Sequence, residues 1–389
     1  MQKLFEHPFL GRGFRPFFFA GAVYTIISVL LWGGFYAGHT DLPDIILHDP
    51  VGWHAHEMIY GFTMAIVAGF LLTAVANWTG GAPARQLHLA GLVMLWGAGR
   101  VVLNLDTGMP DWAVYGIAAS FIPALAVSLA LPLLKSRNIR NFIFLGLLSA
   151  LFACEIVYFV TGKITPLYLA VFMILTMISL IGGRIIPAFT VAALRRKGET
   201  AYPTPQPKAD IAALLSLLAL AAVLVVFGAV HNVFAGAAFA AAAVHAWRMR
   251  YYLTARVWHD PMLWILHLGY AWLVFGLFCA GFAGLELMSV TTSLHALTVG
   301  AIGSMTLGMM CRVALGHTGR DLTASSVTML SFVLMQLAAV LRVGGVIVMP
   351  EQAPLWIAGT AGLWAACFVL YLFAYAPFLW KARPDGAPA

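Results

Sequence analysis

Apolar runs of about twenty residues recur along almost the whole chain, separated by short polar breaks. A run of that length matches the hydrocarbon thickness of a bilayer at about 1.5 Å of helical rise per residue. Inside lipid every backbone polar group must be bonded within the protein, which leaves helices and closed barrels. Barrel strands show short alternating runs, and none is visible here. Composition agrees, with 62% of the 389 residues hydrophobic and 10% charged, where a soluble domain carries about 25% charged residues. The sequence therefore predicts an all-α, polytopic transmembrane helical bundle.

Spans are expected at roughly 14–38, 54–76, 87–105, 111–134, 141–161, 165–191, 209–230, 232–248, 261–284, 289–313, 324–348 and 354–379. The break between the seventh and eighth is marked only by Gly228, His231 and Asn232. Loop charges support this even count. Alternate loops carry Lys3, Arg12 and Arg15; Arg85; Lys135, Arg137 and Arg140; Arg195, Arg196, Lys197 and Lys208; Arg248, Arg250 and Arg256; Arg320; and Lys381 with Arg383. The other loops hold only Lys163 among cations, with Asp41, Asp44, Asp49, Asp106, Asp111, Glu286 and Glu351. Positive charge marks the cytoplasmic side, so both termini are expected there. No cleavable signal peptide is expected, because the polar start reaches Arg15 and the first apolar run is too long.

The chain reads as one integral membrane domain, 1–389, of two six-helix halves, 1–194 and 209–389, joined by a cytoplasmic linker at 195–208. The net charge of +7 is spent on loop orientation and gives no sign of nucleic-acid binding. Cys154, Cys279, Cys311 and Cys367 lie inside apolar runs without CxxC spacing, as small core residues do.

Ionisable groups at bilayer depth cost a few kcal/mol on insertion scales and ask for a reason. The candidates are Glu57, Arg100, Glu155, Arg184, His267, His295, Arg312 and Arg342, with His54 and His56 at a helix mouth. Neutral imidazole is a common ligand for iron, copper and zinc. His54 and Glu57 share a helix face at their spacing; His56 joins them if the stretch is still loop. His56 and His295 are each followed by glycine at the same two spacings, Gly61 and Gly69, then Gly300 and Gly308. Such stripes of small residues serve close helix packing or wall a flat porphyrin. Arg100, Glu155 and Arg342 fall near the outer level of His54, His56 and His295. The arginines there pair either haem propionates or Glu57 and Glu155. Glu155 is a candidate proton relay. Arg184, His259, His267, Arg312 and His317 fall on the inner side, the last in a loop.

Several motifs in order resemble the NnrS family: Phe14-Arg15-Pro16-Phe17-Phe18, Trp53 to Glu57 with Gly61, Gly69 to Ala74, Asn77-Trp78-Thr79-Gly80, Gly99-Arg100, Gly183 to Pro187, Leu266 to Tyr270, His295 to Thr298, and Gly316 to Arg320. The 195–260 stretch is barely covered. The resemblance implies a bacterial inner-membrane protein that carries haem and copper and acts in nitric-oxide metabolism and resistance to nitrosative stress.

The reading that follows is a redox protein that binds or reduces nitric oxide, akin to a haem-copper nitric oxide reductase. His54, His56, His267 and His295 are its candidate metal ligands. Glu57 and Glu155 are its candidate catalytic groups, and Arg100, Arg342, Arg184 and Arg312 its candidate cofactor contacts. Without a CxxCH motif, haem would be held non-covalently. An electron donor is required, with a quinol as the candidate, and the partners are otherwise the bilayer and nitric oxide. The competing reading is a transporter or metal-handling protein with an intramembrane histidine path. Haem type, metal stoichiometry and oligomeric state are not encoded in any readable feature.

Overall fold

A computed structural model describes residues 7–40, 42 and 49–386, which carry helices and no strand. Lys3, Asp41 and Asp44, counted above among the loop charges, fall outside them. Among the described residues, eleven helices are long and apolar enough to cross a membrane. They are α1 (Phe14–Tyr36), α2 (Pro50–Thr79), α3 (Gln86–Asn104), α4 (Asp111–Lys135), α5 (Ile139–Thr161), α6 (Thr165–Arg196), α7 (Pro207–Phe227), α9 (Pro261–Gly284), α10 (Val290–His317), α11 (Ser326–Val348) and α12 (Pro350–Trp380). A shorter, less apolar helix, α8 (Asn232–Met249), lies between α7 and α9. Each expected span is thus a helix. The α7–α8 break is made by Gly228 at φ +81° and by His231, whose Nδ1 accepts from the Val233 amide at 3.1 Å.

Two expectations shift. The sixth span does not stop near 191 but runs through Pro187 to Arg196, since a membrane helix tolerates proline where neighbours take up the freed carbonyl. His317 ends α10 instead of sitting in a loop. The cysteines are free and buried, as core residues should be.

Contacts divide the chain into two compact units. The first comprises Met1–Ala170, Met310–Leu322 and Phe368–Ala389, the second Val171–Met309 and Thr323–Cys367. In the first, α2 starts with Asp49 accepting from the Gly52 amide at 2.8 Å and Pro50 in its first turn, a position that needs no amide donor. After His56 the helix widens into a π-helical stretch, Glu57–Thr63. In the second, α10 starts with Ser289 accepting from the Thr292 amide at 3.0 Å, and after His295 it also widens, over Ala296–Gly303. A further π-helical stretch, Leu341–Gly345, interrupts α11. Such stretches are rare and often mark functional sites.

The packing partners repeat as well. In the first unit α1 lies on α2 so that a methyl added at Gly21 would meet Ile66 and Ala65, at Gly61 it would strike Tyr24 at 2.5 Å, and at Gly69 it would strike Phe18 and Phe17. In the second, α9 lies on α10 with Gly269 against Met305 and Ser304, Gly300 against Trp272 at 2.5 Å, and Gly308 against Ile265 and Leu266. Taken residue by residue, the two sets keep the same spacing along both helices. The glycine stripes therefore serve close helix packing, with an aromatic or aliphatic side chain filling each notch.

Candidate functional site

A buried cluster of ionisable side chains in the first unit forms where α2 turns from α to π geometry. His56 and Glu57 are fully buried there, and Glu155 on α5 is 1% exposed. His56 Nδ1 lies 2.9 Å from Glu57 Oε1, and its Nε2 lies 3.2 Å from Glu155 Oε1. The imidazole thus bridges two carboxylates. Arg100 Nη1 donates to Glu57 Oε1 at 2.6 Å, and the Tyr24 hydroxyl donates to Glu57 Oε2. Asn104, one turn beyond Arg100 on α3, donates to the Tyr24 hydroxyl at 3.2 Å and accepts from Trp53 Nε1 at 2.8 Å. The Tyr60 and Tyr158 rings stack near His56, with centroids 4.8 and 5.9 Å away. Trp96 Nε1 takes the Gly61 carbonyl at 2.9 Å and the Thr63 hydroxyl takes the Met58 carbonyl at 2.8 Å. These two bonds satisfy carbonyls along the π turn.

Charge balance decides what this cluster can do. Two carboxylates face one permanent cation, Arg100. Buried charge must be compensated, so the set is neutral only with one further proton, held on His56 or on a carboxyl group. Glu155 Oε2 is buried and has no hydrogen-bond partner among the described residues. Neutrality of the cluster thus asks for one proton, and Glu155 Oε2 is an acceptor not otherwise engaged there.

The structure brings His56, Glu57, Glu155 and Arg100 together. His54 instead stacks face-on against Trp32, with centroids 4.3 Å apart and 4° between planes. The sequence paired His54 with Glu57 by ordinary helical spacing, whereas it is His56 that meets Glu57, immediately before the π turn. His295 belongs to the second unit, half-buried, with Nδ1 2.7 Å from the Thr291 carbonyl. Arg342, 7% exposed, lies in the π stretch of α11, which packs against the start of α10. His267 is buried on α9 between two hydroxyls, Thr190 Oγ1 at 2.9 Å from Nε2 and Thr254 Oγ1 at 3.0 Å from Nδ1. Arg184 is half-buried on α6 of the second unit, and Arg312 is buried on α10 within the first.

Sequence reasoning missed Tyr24 and Asn104, and it read Trp53 only as the start of the Trp53–Glu57 block, without its bond to Asn104. It also counted Arg248 among the loop cations. Arg248 is 3% exposed on α8 and donates to Asp210 Oδ1 at 2.6 and 2.8 Å, the Ser179 carbonyl at 2.8 Å and the Tyr270 hydroxyl at 3.2 Å. The signal was Gly183, where any Cβ would overlap the Arg248 guanidinium.

Among the described residues, no set of three or more His, Cys, Asp or Glu side chains is arranged to hold a metal ion. His56 Nε2 and Glu155 Oε1, 3.2 Å apart at hydrogen-bond distance, are nitrogen and oxygen donors of types that bind copper. Glu57 on the other ring nitrogen is the outer-shell partner a ligating histidine usually has. A porphyrin does not fit against the glycine stripes, because Tyr24, Phe17, Phe18, Trp272, Ile265 and Leu266 occupy those notches.

Compared with known proteins, the chain matches the family model described as NnrS protein over residues 8–383. No curated protein matches it.

Proposed function

The chain belongs to the NnrS family, and from that premise we propose that it is a bacterial inner-membrane protein that binds and reduces nitric oxide, protecting against nitrosative stress. Family membership suggests a nitric-oxide-related membrane protein, and haem and copper are the groups associated with the family. The observation that carries the reading is the buried imidazole bridging two carboxylates, one of which keeps a free acceptor oxygen.

Reduction of nitric oxide to nitrous oxide and water consumes protons and electrons, the electrons supplied by a quinol from the bilayer. His56 and Glu155 would hold copper, which would supply redox chemistry and a binding position for nitric oxide. Glu57, fixed by Arg100, Tyr24 and Asn104, orients the His56 ring and keeps its far nitrogen directed at Glu155. Glu155 is the proton carrier to bound nitric oxide, holding the proton at Oε2, which has no partner among the described residues. The apolar and aromatic walls from Tyr60, Tyr158 and Phe159 exclude water. Haem lacks a flat wall beside His295, because Trp272, Ile265 and Leu266 fill that stripe.

Transport is the second reading, and the repeated α1–α2 and α9–α10 packing favours it, since transporters are often built from internal repeats. One experiment separates the two. The full-length protein is purified in detergent, analysed for metals, and its absorption recorded before and after nitric oxide. Bound copper or haem with a spectrum that shifts on adding nitric oxide is expected. A colourless, folded, metal-free protein that moves substrate across proteoliposomes would replace the redox reading with transport.

A further inference from the structure

Two motifs take no part in the His56 centre: Phe14-Arg15-Pro16-Phe17-Phe18 and Gly316-His317-Thr318-Gly319-Arg320. Within the first unit both meet the last residues of α12. Arg15, in the first turn of α1, is fully buried. Its Nη1 donates to the carbonyls of Lys381 at 2.7 Å, Leu379 at 2.9 Å and, more weakly, Phe378 at 3.4 Å. One nitrogen thus caps the carbonyl end of α12. Arg15 Nε and Nη2 are also buried, and neither has a partner among the described residues.

Three more guanidiniums gather around it. Arg320 lies 4.1 Å from the centroid of the Phe378 ring. Arg12 Nη1 is 3.3 Å from His317 Nδ1, and Arg383 Nη1 donates to the His317 carbonyl at 3.1 Å. Arg320, Arg12 and Arg383 all stand close enough to Arg15 to repel it. Burial first, and then the Arg383 cation, pulls Arg12 below its ordinary value. The carboxylate that answers them is Asp385, exposed and bound by Arg383 Nε at 2.9 Å and Nη2 at 2.5 Å. Asp321, beside Arg320 in sequence, is exposed.

Such a cluster is unfavourable as it stands. Like charges repel, and burying guanidinium nitrogens without acceptors forfeits hydration. Arg12 and Arg15 also flank the start of α1, where the helix dipole favours anions, and Gly13 supplies no capping side chain. A tetrahedral oxyanion answers all three costs, because it accepts several guanidinium bonds at once.

We propose that Arg12, Arg15, Arg320 and Arg383 form a binding site for a phosphate-class oxyanion, presented as a phospholipid headgroup or as free inorganic phosphate. By the loop-charge pattern this end of the chain faces the cytoplasm, at the level where inner-leaflet phosphates lie. Arg12, Arg320 and Arg383 are half-buried and meet the anion from the water side. The site lies outside the nitric-oxide reading and stands without it.

The test uses the full-length protein in detergent. Retained anionic phospholipid is quantified by mass spectrometry. After delipidation, inorganic phosphate is titrated calorimetrically. Arg12→Gln with Arg320→Gln is compared with wild type and with Arg140→Gln, an exposed control elsewhere in the first unit. Each single variant is measured as well, so a folding failure of the pair leaves the test standing. Wild type is expected to retain the lipid or to bind phosphate saturably, and the paired variant to do so about tenfold more weakly or worse, with the control unchanged. Lipid retention lost in the variant identifies the headgroup as the source, and phosphate binding without retained lipid identifies the free anion. Wild type that does neither, or a paired variant that binds like wild type, overturns the proposal.

Discussion

The α1–α2 and α9–α10 pairs are packed by one scheme and carry different chemistry. Gly21, Gly61 and Gly69 find their counterparts in Gly269, Gly300 and Gly308, each notch filled from the corresponding position of the partner helix. A histidine precedes the π turn in both, and an arginine follows on the next helix in sequence, Arg100 on α3 and Arg342 on α11. The difference lies in two side chains. Where the first pair has Tyr24 and Glu57, the second has Trp272 and Ala296. Trp272 Nε1 donates to Gln336 Oε1 at 2.9 Å, and Gln336 donates to Ser304 Oγ at 2.8 Å. The first pair thus holds an ionic cluster and the second a neutral hydrogen-bonded chain. Small residues fix the approach of the helices, and the chemistry is set independently at the positions beside them.

The largest expected effect breaks the ionic member. Arg100→Ala leaves Glu57 buried without its cation and should cost about 3–5 kcal/mol, read as a large drop in thermal unfolding temperature in detergent. A loss below about 1 kcal/mol would mean that Glu57 is held neutral and that the two pairs differ less than their geometry implies.

The shared packing is tested by Gly61→Ala and Gly300→Ala. Each added methyl would meet a rigid aromatic ring at 2.5 Å, and overpacking of this kind costs about 1–3 kcal/mol. The two losses should agree to within about 1 kcal/mol, since error and context are of that size. A large loss at one glycine and none at the other would end the equivalence.

Smaller effects sharpen the chemical contrast. Tyr24→Phe removes a hydrogen bond to a carboxylate and should cost roughly 1.5–3 kcal/mol, whereas Gln336→Leu removes neutral bonds and should cost about 0.5–1.5 kcal/mol. Both are read from unfolding of the purified protein, and the order of the two is the informative outcome.

The helices were legible because hydrophobic run length and loop charge are properties of single segments. Even the weak break at Gly228 and His231 could be read, since one glycine conformation and one cap make it. The repeat of α2 in α10 showed in part, as the His–Gly–Gly spacing, while its partners in α1 and α9 did not. Phe17 and Phe18 stand where the second pair has Ile265 and Leu266, and Tyr24 where it has Trp272, so no residue identity marks the correspondence. The site was half legible. Buried Glu57, Glu155 and Arg100 announced themselves by cost, but ordinary helical spacing assigned His54 to Glu57. No spacing rule flags a π turn such as the one that follows His56, and none joins Glu155 on α5 to His56 on α2. Arg248 was hidden by position, since a cation near a helix end reads as a loop charge whether it points to water or into Gly183.

The His56–Glu155 pair is the proposed reactive centre. It is tested most directly by measuring metal content and the nitric-oxide-induced absorption change in wild type, His56→Ala and Glu155→Gln side by side. Metal content and the nitric oxide response should fall about tenfold or more in His56→Ala. Glu155→Gln should stay folded, because its second oxygen has no bond to lose, yet lose most of the response. Wild-type metal content and wild-type response in both variants would contradict the claim.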